Sequence, residues 1–259
     1  IRSLYAELKK QALLTPERLS VVNDDGSKVT TSQLLKKVER CAFYLEESAP
    51  AAKYVILIAH GSADYHAWSI AILGRGRVLV PIDLSWPEKR INEVKDQIFQ
   101  IDPNAAVIRS KDAISTHEHL QADLDQQPDG PALIFFTSGT TGKPKGVVLS
   151  YEFLLNQATD IEPDELWSSD ESRQSNASEI HDALFQYASI SVAVHLNYSV
   201  AIVRGHTVVC ATGPQTLDIP YAVELFARYQ IKRILITPTF CERLLDFPEW
   251  FSTFTEISF

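Results

Sequence analysis

The sequence has no methionine, three cysteines and no apolar run long enough to cross a bilayer. Each shortage excludes something. Ile1 is not an initiator, so the chain reads as a segment of a longer protein. Cys41, Cys210 and Cys241 are odd in number, far apart and set among apolar neighbours. They have no metal-ligand spacing and read as buried free thiols in a reducing, cytoplasmic setting. No secretory signal is visible, so the sequons at Asn176 and Asn197 carry no weight. Basic residues are outnumbered, 24 Lys and Arg against 33 Asp and Glu, for a formal net charge of -9. That argues against nucleic acid or an anionic membrane as partner, while leaving room for a local phosphate-binding patch. His60, His66, His117 and His119 lack any nucleophile or ligand pattern, and Ser62 and Asp64 read as turn residues at a strand end. No hydrolase or metal site is supported.

What is present is ordinary globular material, 45% apolar and 22% charged. Continuous apolar runs of strand length occur at Tyr54–Ala59, Val78–Ile82, Ala105–Ile108, Ala132–Phe136, Thr207–Cys210 and Arg233–Ile236. Runs without alternation indicate strands buried on both faces, as in parallel sheets. Helical patterns lie between them. Leu34, Leu35, Val38, Ala42 and Leu45 share one face, with Thr31 or Ser32 as cap; Ile91, Val94 and Ile98 follow Pro87; Leu217–Tyr229 is a third. The alternation predicts an α/β fold of two doubly wound, mostly parallel-sheet subdomains, 1–127 and 128–259, the second incomplete. The polar stretch Ser110–Gly130 marks the boundary. Residues 160–182 hold eight acidic residues and read as an exposed loop insertion. The last residues, Thr255–Phe259, read as the inside of a strand.

The segment Leu133–Val148 carries the chemistry. A buried strand runs into Thr137-Ser138-Gly139-Thr140-Thr141-Gly142-Lys143-Pro144-Lys145-Gly146. Glycines permit close backbone approach to a ligand, exposed amides form an anion nest, four hydroxyls add donors, and Lys143 and Lys145 add charge. This is a cradle for nucleotide phosphates. It is not the Walker pattern: the spacing is short, and Pro144, where Ser or Thr would stand, delays any helix.

Thr137–Gly146 resembles the phosphate-binding signature of the adenylate-forming superfamily, which includes acyl-CoA synthetases, luciferases and nonribosomal peptide synthetase adenylation domains. Val29–Leu34 is similar to that family's "LTYxEL" segment, Ala71–Asp83 to "LKAGxAYVPID", and Ile236–Thr239 to "VPT/TPT"; Ser85–Arg90 resembles the amino-acid-activating branch. The resemblance implies the N-terminal portion of an adenylation domain that activates a carboxylic or amino acid as its acyl-AMP. The acid's carboxylate attacks the α-phosphate of ATP in line and pyrophosphate leaves, so catalysis is positioning plus charge neutralisation. It implies ATP and Mg2+, with no metal ligand to name. Phosphate binding falls to Thr137, Ser138, Gly139, Thr140, Thr141, Gly142, Lys143 and Lys145, with Lys145 the catalytic charge. A carrier protein or CoA, in phosphopantetheine-linked chemistry, would be engaged through further C-terminal regions. This chain alone is expected not to turn over.

The resemblance also locates an acid pocket at Tyr151, Ser191 and His195. Ser191 stands where amino-acid-activating members carry the Asp that pairs with the substrate's α-amino group, and a neutral hydroxyl is no substitute for it. His195 either lines the pocket or is a core or surface histidine. Tyr151 either borders the pocket or caps the following helix. The competing reading is a noncatalytic nucleotide-binding or scaffold module that keeps the loop.

Overall fold

The computed structural model describes residues 3–110, 124, 126, 129–138, 143–160, 183–187, 189–191, 195–211, 218–248, 250, 254 and 256–258. The acidic tract at 161–182 and most of the polar stretch at 110–130 lie outside them. In chain order the elements are α1 (Leu4–Leu14), β1 (Leu19–Val22), β2 (Lys28–Thr30), α2 (Thr31–Ser48), β3 (Tyr54–Ala59), α3 (Ala63–Gly74), β4 (Val78–Asp83), α4 (Glu88–Ile101) and β5 (Ala106–Arg109). They continue with β6 (Pro131–Ser138), β7 (Pro144–Ser150), α5 (Tyr151–Asp160), β8 (Leu184–Gln186), α6 (His195–Arg204), β9 (Val208–Cys210), α7 (Ile219–Tyr229), β10 (Arg233–Leu235), α8 (Pro238–Leu244) and β11 (Glu256–Ser258).

The strands form two mixed, mostly parallel sheets. The first has the order β5-β3-β4-β6-β7, with only the edge strand β7 antiparallel. The second has the order β11-β10-β8-β9-β1-β2, with only β2 antiparallel. The fold class is therefore the α/β class expected. A division at 127/128, however, is not where the sheets divide. β1 and β2 join the later strands, while β6 and β7 join the earlier ones. Local patterning cannot reveal this, because strand pairing across that many residues is decided by packing.

Burial explains the layering. β3 and β4 are buried almost throughout, as continuous apolar runs require. On one face of the first sheet, Ile91, Val94 and Ile98 of α4 pack with Ile56, Ile58, Val80, Ile82, Ile134 and Phe136. On the outer face of the second sheet, α7 and α8 cover Phe185, Val209 and Ile234. Helices α1, α2, α3 and α6 fill the layer between, with α3 against β3 and β4 and α6 against β8 and β9. α3 is buried at all its positions except Asp64, so His66 and Ser69 lie inside the protein.

α2 is capped by Thr30, not Thr31 or Ser32. Thr30 accepts from the Gln33 amide while the Gln33 side chain accepts from Thr30, a reciprocal capping box. Thr31 is buried instead, its hydroxyl donating to the Arg18 carbonyl at 3.0 Å. Ser62, read as a turn residue, caps α3. All three cysteines are free, Cys41 and Cys210 buried and Cys241 partly so. Burial raises the Cys41 and Cys210 thiols well above their ordinary range, which suits inert core residues. Among the described residues, no helix is long and apolar enough to cross a membrane.

Candidate functional site

The phosphate-loop segment spans the turn of a β-hairpin. β6 ends at Ser138 and β7 begins at Pro144, with Ser138 paired to Pro144, Thr137 to Lys145 and Phe136 to Gly146. Gly139, Thr140, Thr141 and Gly142 lie outside the described residues. Pro144 opens a strand, not a helix, as a proline without an amide donor can at a first strand position. Lys143, Lys145 and Thr137 are exposed, and the Thr137 hydroxyl donates to the Lys145 carbonyl at 3.4 Å. Gly146 has a steric reason to be glycine: a Cβ would sit 3.2 Å from Ile134 Cγ2 and 3.4 Å from the Phe136 ring. The hairpin can thus close tightly directly behind Lys145.

β6 runs parallel to β4, with Leu79 paired to Leu133. Carrying that register forward sets Asp83, the last residue of β4, beside Thr137. β3 ends on the same edge, with Ala59 paired to Asp83. The loop therefore stands at the carboxyl ends of parallel strands, where ligands bind in open α/β sheets.

Asp83 ties this edge to the second sheet. Its Oδ1 accepts from the Ser85 amide and hydroxyl at 3.0 and 2.7 Å, and its Oδ2 accepts from the Ser189 hydroxyl at 2.7 Å. His60 Nδ1 lies 3.6 Å from Oδ1. The Asp83 amide donates to the Ser191 hydroxyl at 2.9 Å, and the Ser191 amide donates to Ser189 at 3.3 Å. Ser191 is thus brought to the same edge as the loop, buried, with its hydroxyl engaged by the backbone.

His195 is buried at 1% exposure. Its ring packs edge-on to Tyr65 at 4.7 Å and stacks on His66 at 5.7 Å. His66 is bonded on both nitrogens, Nε2 to Gln186 Oε1 and Nδ1 to Ser199 Oγ, each at 2.8 Å. The Gln186 carbonyl can only accept, so Nε2 carries the proton and Nδ1 accepts from Ser199. Burial pushes His66 down to about 4, which keeps the ring neutral. Gly61 completes this junction: a Cβ there would lie 2.2 Å from Gln186 Nε2 and 3.1 Å from His195 Cε1.

Tyr151 is not brought to the site. It follows the far end of β7, about 20 Å along the strand from the loop. Its hydroxyl is held between the carbonyls of Leu73 and Arg77, at 3.0 and 2.8 Å. This tyrosine locks the α3–β4 connection. The structure also brings in residues that sequence reasoning did not select. Asp83 and Gln186 stand only inside resembling segments without being singled out, and Ser199 follows no motif.

The described residues thus set two exposed lysines, Lys143 and Lys145, at the carboxyl edge of a mostly parallel sheet, and comparison with known proteins says which family such a chain belongs to. The family model described as "AMP-binding enzyme" matches residues 93–255. The chain belongs to that family. It is 26% identical to nonribosomal peptide synthetase TES of Alternaria alternata over 94% of this chain and 5% of that protein. It is 29% identical to the D-alanine--D-alanyl carrier protein ligase of Lacticaseibacillus rhamnosus over 51% of this chain and 29% of that one. The nonribosomal peptide synthetase FmoA3, solved in an AMPPNP-bound form, superposes with a TM-score of 0.76 at 20% identity, over 95% of this chain and 27% of that chain. That last likeness shows the shared fold. The chain thus spans a small part of the length of these relatives.

Proposed function

We propose that the protein activates a carboxylic or amino acid as its acyl-adenylate, consuming ATP and releasing pyrophosphate. The observation that carries this reading is the hairpin loop, with Lys143 and Lys145 at its exit, on the carboxyl edge of a parallel sheet in a member of the AMP-binding enzyme family. Thr137, Ser138, Gly139, Thr140, Thr141, Gly142 and Lys143 would hold the β- and γ-phosphates, which become the leaving group. Lys145 would neutralise charge as it develops there. The ligase and synthetase relatives, and the AMPPNP and alpha-methyl-L-serine-AMP bound to FmoA3, agree with this chemistry.

Mg2+ belongs to the proposal as a companion of ATP. Among the described residues no three or more His, Cys, Asp or Glu gather, and Asp83, a carboxylate at this edge, accepts from three donors; Mg2+ would be held largely by the phosphates and water. A carrier protein is the acceptor suggested by the name of the D-alanine ligase; CoA is the other, and cytoplasmic residence accompanies either.

Ser191 shapes the substrate choice. No carboxylate stands at that position, and its hydroxyl already accepts from the Asp83 amide. An α-ammonium entering there would lose water without gaining an anion, a cost of several kcal/mol. In acid-dependent pyrophosphate exchange by the intact protein, acids without an α-ammonium, or with the amine elsewhere, are expected to outperform the common α-amino acids. A common α-amino acid giving the strongest exchange would overturn this substrate assignment.

A further inference from the structure

We propose that Arg90 and Gln97 of α4 are positioning residues that brace the two legs of the phosphate-loop hairpin; the inference rests on the ATP reading above. The hairpin needs such support. β7 is an edge strand with β6 as its one sheet neighbour, and residues 145–148 along it are exposed. β4, on the other side of β6, ends at Asp83, level with Thr137, so the pairing of Ser138 with Pro144 extends past the neighbouring strand. A two-stranded ribbon is marginal without further packing.

α4 supplies a contact to each leg. Gln97 Nε2 donates to the Pro144 carbonyl at 3.2 Å, where the chain leaves the loop. Arg90 Nη2 reaches the Phe136 carbonyl at 3.4 Å, two residues before Ser138 on the entering leg. The second contact is long, but it is charge-assisted and its donor is held in place. The Arg90 guanidinium lies over the Trp86 ring, 3.6 Å from its centroid. Arg90 Nε is buried and makes no hydrogen bond among the described residues. The group keeps its place despite that desolvation cost. Beneath both contacts, Ile91, Val94 and Ile98 pack with Ile134 and Phe136, so helix and hairpin share one core. A loop that must hold a triphosphate in line for attack gains from legs that cannot splay, because small misplacements of the reacting groups cost rate.

The test uses the intact protein and two readouts. In acid-dependent pyrophosphate exchange, Arg90→Ala and Gln97→Ala should each raise the KM for ATP, the pair together about 10-fold. The acid's KM should stay near wild type, and Arg90→Lys, which keeps a cationic donor, should recover most of the loss. In amide hydrogen exchange without nucleotide, residues 143–150 should exchange faster in the alanine variants, while β3 keeps its protection. Unchanged ATP KM and unchanged exchange at 143–150 would overturn the brace. So would protection lost equally from β3, which would mark a general core defect. If the wild-type protein shows no pyrophosphate exchange, the functional reading fails, and hydrogen exchange still judges the brace alone.

Discussion

Replacing Lys145 and Thr140 together by alanine is expected to weaken ATP binding by about 10- to 100-fold, since hydrogen bonds to charged groups contribute roughly 1.5–3 kcal/mol. Lys145 is exposed on β7, paired with Thr137 at the exit of the loop, and has no salt-bridge partner among the described residues. Its removal leaves no buried orphan, so the fold should survive and the loss should fall on the ligand. An equilibrium titration of the double variant with ATP measures this. Wild-type affinity would mean that the loop does not hold phosphate.

The second large effect concerns acid. His66 and His206 are both buried as neutral rings. Burial pushes His66 down to about 4. Burial first, then Arg233, Arg18 and Arg204, pushes His206 down to about 3. Both native values lie below the ordinary 6.5, so the unfolded chain binds more protons. Stability from these groups is complete above that value and is lost as pH falls from 6.5 through the native values. For His66 alone the loss amounts to roughly 3 kcal/mol. Denaturant titrations from about pH 7.5 down to about pH 4.5 should show stability falling with a slope approaching two protons. His66→Leu should cost about 2–4 kcal/mol near neutrality, because the Gln186 carbonyl and the Ser199 hydroxyl lose their partner in the core. Its acid slope should be one proton shallower. An unchanged slope would show that His66 is not titrating as argued.

Much of the fold was legible because it is written locally. Continuous apolar runs announced β3, β4, β6 and β10, and the 3.6-residue stripes of α2 and α4 mark the buried faces of both helices, with Leu35 of the α2 stripe only partly buried. α3 was not legible for a physical reason. Ala63–Gly74 lies between layers and is buried on nearly every side, Asp64 excepted, so it shows no amphipathic period. The sheet exchange was also hidden. β1 pairs with β9, and β6 with β4, through packing that no short window contains.

The same division holds at the candidate site. The loop residues Thr137 to Lys145 draw attention as a proposed phosphate cradle because glycine, hydroxyl and lysine chemistry is concentrated in one stretch. The His66–Gln186–Ser199 chain could not be read, since its members stand 120 and 133 residues apart. Where Tyr151 goes could not be read either, because nearness in sequence to the loop is not nearness in space: a strand of seven residues separates them, and its hydroxyl is bonded to the Leu73 and Arg77 carbonyls.

The most direct test is a product analysis. The intact protein is incubated with ATP, Mg2+ and the acid most active in pyrophosphate exchange, and the nucleotide products are separated and identified. The account predicts an acyl-adenylate, with AMP from its hydrolysis and pyrophosphate as the other product, all dependent on the acid. Acid-dependent formation of ADP and orthophosphate would place the attack on the γ-phosphate and contradict it.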